Sequence, residues 1–201
     1  IHSDLIFRGH VHIPTASLPE LSGAGVITCL SATKTFNLAG LQSSATVFSD
    51  AADQARFEAW WRKLDIHRNN CFGLVAVEAA FRHGAEWLDQ LLEYLEGNFR
   101  FLRDYCAHHI PAVKPNLPEG TYLVWLDCRG LGLTGADLPR FMARKAGLGL
   151  GEGATFGPGG EGFMRLNAAC PRSVLRQALE RLQLATAELK KEAHYDHSPD
   201  D

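Results

Sequence analysis

A stripe of apolar residues, spaced three or four positions apart, is the longest regular pattern in the sequence. Its members are Leu88, Leu91, Leu92, Leu95, Phe99, Leu102 and Cys106. This spacing places the whole stripe on one face and predicts a single helix of about six turns. Pro111 and Pro115 end the pattern. A helix of this length can join two domains, so we predict a domain boundary inside or beside it.

Before the stripe, short β-type runs alternate with a helical pattern. The apolar run 25–30 is typical of a strand buried on both faces, and residues 44–48 predict a second strand. Ser49 or Asp50 can cap the helix that follows. The apolar face of that helix comprises Phe57, Trp60, Trp61 and Leu64. These elements predict an α/β domain over residues 1–88.

Beyond the prolines, the order of strand, helix, glycine-rich loop, strand and helix predicts a small α+β domain. Strands are predicted over 121–128 and 163–167, Thr134 is expected to cap the helix between them, and the last helix begins at Ser173. We therefore predict three parts: a partial large domain over 1–88, the linking helix with the small domain over 89–192, and a disordered polar tail over 193–201.

Composition excludes several classes of partner. The 201 residues carry a formal net charge of −3 without a basic block, so we expect no nucleic acid partner. No apolar run approaches the ~20 residues that a membrane span needs, so we expect no membrane partner either. Five cysteines are scattered without a CxxC pair. An odd, scattered set favours reduced thiols and a cytoplasmic location.

Two other patterns have ordinary interpretations. Residues 157–162 match GxGxxG, but a dinucleotide-binding loop must follow a strand and open a helix, whereas this one precedes a predicted strand. We interpret it as a turn. The nearest histidine groups, His10 with His12 and His108 with His109, lack further ligands at zinc-like spacing. We therefore predict no metal site.

Lys34 follows the first predicted strand, and Ser31 and Thr33 present hydroxyl groups beside it. In α/β sheets, ligands bind at the carboxyl ends of strands. Hydroxyl groups suit a phosphate, and a lysine amine can pair with that phosphate or attack a carbonyl carbon. From these residues alone, a solvated loop lysine is still the favoured interpretation.

The amino-acid sequence around Lys34 favours a different interpretation. Residues 31–41, SATKTFNLAGL, resemble the Schiff-base lysine segment of pyridoxal-phosphate (PLP) enzymes of fold type I, in the class I/II aminotransferase superfamily. KTFNLAGL is most similar to the carbon–sulfur β-lyase branch, the cystathionine β-lyases. Three further segments agree with that family in order and spacing: 1–4 followed by 12–14, 120–127, and 162–172. The resemblance covers the chain up to about Lys191.

The resemblance implies the fold and a set of residue roles. The fold is the C-terminal part of the α/β PLP-dependent transferase large domain, followed by a small α+β domain. Lys34 would bind PLP covalently and move the α-proton of the substrate. Ser31 and Thr33 would contact the cofactor phosphate, and His2 would lie beside the 3'-oxygen of PLP. Arg165 would bind the substrate α-carboxylate, for which a planar fork of donors is well suited.

Two departures from the family pattern refine the expectation. Many aminotransferases carry an arginine eight residues after the lysine, where this chain has Gln42, and the β-lyase branch often lacks that arginine too. The acidic residue that pairs with the pyridine nitrogen is expected just upstream of Ile1. We therefore expect this chain to be the C-terminal half of a longer enzyme.

The activity implied by the resemblance is β-elimination. The substrate would be an amino acid with sulfur on its β-carbon, such as cystathionine, and the products would be pyruvate, ammonia and a thiol. Family members are usually homodimers. An aminotransferase on the same scaffold is the first alternative. A catalytically inactive fragment, or a regulatory partner, is the second.

Overall fold

The computed structural model describes residues 1–21, 25–66 and 70–195. By their internal contacts these residues divide into two units, the first ending at Leu92 and the second beginning at Glu93. The division lies within one long helix. The domains predicted over 1–88 and 89–192 stay predictions, and most of the tail predicted over 193–201 lies outside the described residues.

The first unit combines a two-stranded antiparallel sheet with three helical segments. Its elements are β1 (Ile27–Leu30), β2 (Ala45–Phe48), α1 (Ala51–Lys63), α2 (Cys71–His83) and the start of α3 (Ala85–His109). Asp50 caps α1, because its carboxylate accepts from the backbone N–H groups of Ala52 and Asp53. The predicted cap position and the single long helix are thus both observed.

The prediction that the run 25–30 is buried on both faces is wrong. Among the described residues β1 pairs with β2 alone, and Ile27 and Leu30 are exposed. In a larger sheet, an apolar run of this kind forms a central strand that is covered on both faces. A two-stranded ribbon leaves its faces uncovered, so this run lies at the surface of the first unit. The apolar face of α1 is likewise largely exposed, at Trp60 and Leu64.

The second unit packs helices on one face of a four-stranded antiparallel sheet. Its elements are the rest of α3, β3 (Lys114–Asn116), β4 (Leu123–Asp127), α4 (Asp137–Arg144), β5 (Gly151–Glu152), β6 (Phe163–Asn167) and α5 (Arg172–Tyr195). The strand order is β3-β4-β6-β5. Thr134 does not cap α4 with its side chain: the helix begins at Asp137, and no side chain caps its first turn. The last helix begins one residue before Ser173.

The core of the second unit explains the apolar stripe. Its buried members are Leu95, Phe99, Leu102 and Cys106 from α3, Val124 and Leu126 from β4, Met164 and Leu166 from β6, and Leu175, Leu179 and Leu182 from α5. Successive side chains of a strand point to opposite faces. The sheet therefore buries one face and leaves Trp125, Phe163 and Arg165 half-exposed on the other. Within the described ranges, no helix is long and apolar enough to cross a membrane.

Candidate functional site

Lys34 lies in a tightly wound turn directly after β1, which we call the lysine loop (residues 31–38). The N–H of Phe36 donates to the carbonyl of Ala32, and the N–H of Leu38 donates to that of Thr33, both at 2.9 Å. Thr33 and Thr35 on either side of Lys34 are buried, whereas Lys34 is half-exposed. The backbone is thus held in place while Lys34 itself is partly exposed.

The hydroxyl groups of Ser31 and Thr33 lie 2.8 Å apart. Ser31 Oγ accepts from the N–H of Thr33 at 3.1 Å and donates to the carbonyl of Ser43 at 2.7 Å. A hydroxyl group has one proton to donate. If Ser31 donates its proton to Ser43, the Thr33 proton makes the 2.8 Å bond to Ser31 Oγ, and Thr33 can turn that proton to an anion only by giving up this bond.

A hydrogen bond ties the lysine loop to the first residues of the chain. Thr35, which is 1% exposed, donates from Oγ1 to Oδ2 of Asp4 at 2.8 Å. Asp4 belongs to a turn in which the N–H of Leu5 donates to the carbonyl of His2. His2 is half-buried in the same turn, and Leu5 is fully buried. The segment that carries His2 is therefore hydrogen-bonded to Thr35, the residue that follows Lys34 in the sequence.

Aromatic packing fixes the far side of the lysine loop. The ring of Phe36 lies 5.7 Å from that of Trp87 and 6.0 Å from that of Phe81, measured between centroids. Gly84, between α2 and α3, approaches the same ring so closely that a Cβ there would lie 2.4 Å from a Phe36 carbon. The junction of the two helices thus packs directly on the lysine loop.

Arg165 lies in the second unit, on the half-exposed face of β6. We call this surface of β4, β5 and β6 the arginine face. Trp125 is its register partner on β4 and Gly151 its partner on β5. Burial raises the pKa of Tyr122, and the positive charge of Arg165 opposes that rise. Arg165 forms no ion pair with any carboxylate among the described residues.

A second arginine near this face is already paired. Arg129 donates from Nε and Nη2 to the two carboxylate oxygens of Asp127, at 2.9 and 2.7 Å. The hydrogen bond from Arg129 lowers the pKa of Asp127 to about 2. A guanidinium held by a bidentate carboxylate has few donors left for a ligand. Arg165 is therefore the better candidate for binding an anion on this face.

The glycine-rich loop behaves as its context predicts. Residues 157–162 lead into β6 and open no helix, so the geometry for dinucleotide binding is missing. No group of three His, Cys, Asp or Glu residues that could hold a metal ion occurs in the described part of the chain.

The predicted site residues thus fall into two groups. Ser31, Thr33 and Lys34 form one cluster in the first unit, with His2 on the segment fastened to it. Arg165 lies in the second unit. Sequence reasoning missed the hydrogen bond between Asp4 and Thr35. The signal for it was that the carboxylate and the hydroxyl group both lie in segments that resemble the same family. It also missed the aromatic residues around Arg165, whose approach depends on strand register.

Comparison with known proteins shows which enzymes the chain is similar to. No family model matches the chain. Cystathionine beta-lyase PatB of Bacillus subtilis is 41% identical over 185 residues, which is 92% of this chain and 48% of that enzyme. Aminotransferases appear among the more distant relatives.

Solved structures agree with the sequence comparison. Cystalysin from Treponema denticola, whose structure contains pyridoxal 5'-phosphate, matches with a TM-score of 0.86 at 34% identity, over 94% of this chain and 48% of that one. A cystathionase-like structure from Corynebacterium diphtheriae matches with a TM-score of 0.81 at 34% identity, over 93% of this chain and 49% of that one.

These findings define first a class and then a branch. The chain has the α/β fold of PLP-dependent aminotransferase-fold proteins and corresponds to their C-terminal half. It is homologous to the cystathionine β-lyases and carbon–sulfur lyases, as its lysine segment predicts. The chain spans about half the length of the curated relatives that it matches.

Proposed function

We propose that the protein containing this chain is a PLP-dependent carbon–sulfur β-lyase. Its substrate is an amino acid with a thioether or thiol on the β-carbon, such as cystathionine or a cysteine S-conjugate, and its products are pyruvate, ammonia and a thiol. The observation that carries this proposal is the lysine loop, in which a partly exposed lysine stands between buried hydroxyl residues. The identity to cystathionine β-lyases supports it.

The residues of the lysine loop fit this cofactor. PLP, when bound, supplies an electron sink for the charge left at the α-carbon of the substrate. Lys34 would hold the cofactor through Nζ, and its amine would take the α-proton of the substrate as a general base. The rigid backbone on both sides of Lys34 keeps Nζ in position for both tasks.

The hydroxyl groups have separate roles in this account. Thr33 would turn its hydroxyl proton from Ser31 Oγ to the cofactor phosphate. Ser31 contacts the phosphate only by releasing the carbonyl of Ser43, so its main role is to orient Thr33. His2 would lie beside the 3'-oxygen of the cofactor, on the turn that Asp4 fastens to Thr35.

Arg165 binds the α-carboxylate of the substrate. Its guanidinium has no carboxylate partner among the described residues, in contrast to that of Arg129. The paired nitrogen donors of a guanidinium match the two oxygens of a carboxylate. This contact orients the amino acid so that one Cα–H bond is presented for proton removal.

The substrate test uses the full-length protein loaded with PLP. Cystathionine should yield pyruvate and ammonia without an added 2-oxo acid, and Lys34→Ala should abolish the reaction whereas Lys63→Ala should leave it unchanged. No pyruvate from cystathionine, while other amino acids react, would contradict the lyase assignment.

An aminotransferase is the second candidate, favoured by the more distant relatives. It predicts that nitrogen is transferred to an added 2-oxo acid and that ammonia is not released in its absence. Gln42, at the position of the aminotransferase arginine, supports the lyase. A protein that binds no cofactor in excess PLP would instead be the inactive fragment or regulatory partner.

We also propose that the full-length protein is a cytoplasmic homodimer. Large apolar side chains on the first unit support association, since Phe72 is 74% exposed and Val75 69%. The five cysteines form no disulfide among the described residues, which fits a reducing compartment. Light scattering should give twice the monomer mass, and a monomer would contradict the proposal.

A further inference from the structure

Phe156 is a large aromatic residue whose position core packing does not explain. It ends the short 3-10 helix Gly153–Phe156, directly before the glycine-rich loop, and its side chain is 53% exposed. Its ring covers the guanidinium of Arg165, with the Arg165 Cζ atom 4.4 Å from the ring centroid. This distance is typical of a cation–π contact.

Neighbouring rings hold Phe156 in this place. Phe156 meets Trp125 edge-on, with centroids 5.6 Å apart and planes at 74°. Trp125 in turn stacks on Phe163 at 5.8 Å and 16°. Offset stacking and edge-to-face contacts are the favoured geometries for aromatic pairs. The ring over Arg165 is therefore the end of an ordered row of three, not an isolated surface residue.

The glycine-rich loop fixes the backbone that carries Phe156. A Cβ on Gly153 would lie 2.2 Å from the carbonyl oxygen of Gly160, and a Cβ on Gly160 would lie 2.1 Å from that of Gly153. Two backbone segments that approach so closely admit only glycine at both positions. The contact fastens the 3-10 helix to the turn that enters β6, and so sets the distance between Phe156 and Arg165.

Gly151 leaves room for the arginine on the other side. It is the register partner of Arg165 on β5, and a Cβ there would touch Cβ and Nε of Arg165 at 3.4 Å. The guanidinium of Arg165 thus has the Phe156 ring on one face, and the backbone of Gly151 lies beside the rest of the arginine side chain. Its donors lie in the guanidinium plane, so a ring over one face leaves the edge open to a carboxylate.

We propose that Phe156 is a positioning residue for Arg165: its ring, held by Trp125 and by the Gly153–Gly160 contact, keeps the guanidinium edge-on to the incoming carboxylate. The carboxylate belongs to the amino acid substrate, and in this respect the inference rests on the proposed function. The glycine-rich loop serves this placement.

The test compares Phe156→Leu and Phe156→Tyr with Phe101→Leu in the full-length protein. Phe101 covers the guanidinium groups of Arg172 and Arg176, each at 4.8 Å, so its replacement removes contacts of the same kind elsewhere. With cystathionine, Phe156→Leu should raise KM about two- to fivefold with kcat unchanged. Phe156→Tyr should keep the KM of the wild type, and Phe101→Leu should not change it.

A second readout is independent of turnover. In protein labelled with 15N at arginine, the Nε–Hε signal of Arg165 should carry a ring-current shift that Phe156→Leu removes. Titration with acetate should move this signal in the wild type, at concentrations about two- to fivefold lower than in Phe156→Leu. Equal acetate affinities in the two proteins would overturn the inference.

The two readouts separate the inference from the proposed function. A wild type that makes no pyruvate but shows weaker acetate binding on loss of Phe156 contradicts the lyase and supports the positioning role. An active wild type whose KM does not change in Phe156→Leu contradicts the positioning role and leaves the lyase standing.

Discussion

At the scale of single residues, Lys34 is defined by what surrounds it. Ala32, Thr33 and Thr35 are buried, and each anchors the lysine loop by packing or hydrogen bonding. The lysine side chain itself is half-exposed. A catalytic amine has to meet two partners in turn, the cofactor and the substrate proton, and a rigid backbone beneath an accessible side chain suits that task.

The hydrogen bond between Thr35 and Asp4 should contribute measurably to stability. Thr35→Val keeps the volume of the side chain but removes the donor from a buried position. We expect a loss of about 1.5–3 kcal/mol in the free energy of unfolding, because the bond is made to a charged group. Urea denaturation of the full-length protein measures it. Thr35→Ser, which keeps the hydroxyl group, is the control, and a loss in Thr35→Ser as large as in Thr35→Val would contradict the assignment to the hydrogen bond.

The Asp127–Arg129 pair should make stability depend on pH at the acidic end. Hydrogen bonding from Arg129 lowers the pKa of Asp127 to about 2 in the folded protein. The unfolded value is about 3.9. Because the folded pKa is the lower one, the stabilisation is complete above about pH 4 and is lost as the pH falls to about 2.

Calorimetry of Asp127→Asn checks this linkage. Arg129 is largely exposed, so solvent screening keeps the effect small, and we expect Tm to fall by about 1–2 °C at pH 7. The difference from the wild type should disappear near pH 2. Glu78→Gln, which breaks the exposed pair with Arg82, is the control carboxylate. A difference for Asp127→Asn that grows on acidification would contradict the assignment.

At the scale of elements, α3 does more than supply apolar contacts. Asn98 on this helix is fully buried and donates from Nδ2 to the carbonyls of Ala168 and Cys170, at 2.8 and 3.0 Å. Its Oδ1 accepts from Nε of Arg172 at 2.7 Å. One side chain thus fixes the segment that connects β6, with Arg165, to α5.

Asn98→Leu should therefore destabilise the second unit. The replacement leaves two carbonyl groups without donors, and each orphaned group costs about 1–3 kcal/mol. We expect a total loss of about 2–6 kcal/mol, measured by urea denaturation. The control is Arg100→Ala, two residues after Asn98 on α3. It removes an exposed ion pair with Glu96 and should change the free energy of unfolding by less than about 0.5 kcal/mol. Similar losses in both variants would argue that the helix, and not the buried amide, is sensitive.

The elements that the sequence predicts well are those whose pattern depends on local spacing. The stripe from Leu88 to Cys106 becomes one helix, and β6 has the predicted bounds Phe163–Asn167. β1 was misjudged because an apolar run does not reveal how many strands surround it. Thr134 was misjudged because a cap depends on the backbone path through Gly135, which has φ +50°.

At the scale of the whole molecule, the candidate site was predictable to the extent that it is written in contiguous motifs. The lysine loop is one such motif, and its resemblance to β-lyases agrees with the comparisons. Phe156 was not predictable, because its contact with Arg165 depends on the pairing of β5 with β6 and on a close approach of two glycines. Neither of these long-range relations has a signature in local composition.

The central claim, that Lys34 is the lysine that binds PLP, is tested most directly by borohydride trapping. The full-length protein is incubated with PLP, reduced and digested, and the pyridoxyl group is located by mass spectrometry, with Lys63→Arg as the matched control for Lys34→Arg. The account predicts the adduct on Lys34, retained in Lys63→Arg and lost in Lys34→Arg. No adduct on Lys34, or labelling confined to Lys63, Lys114 and Lys145, would contradict it.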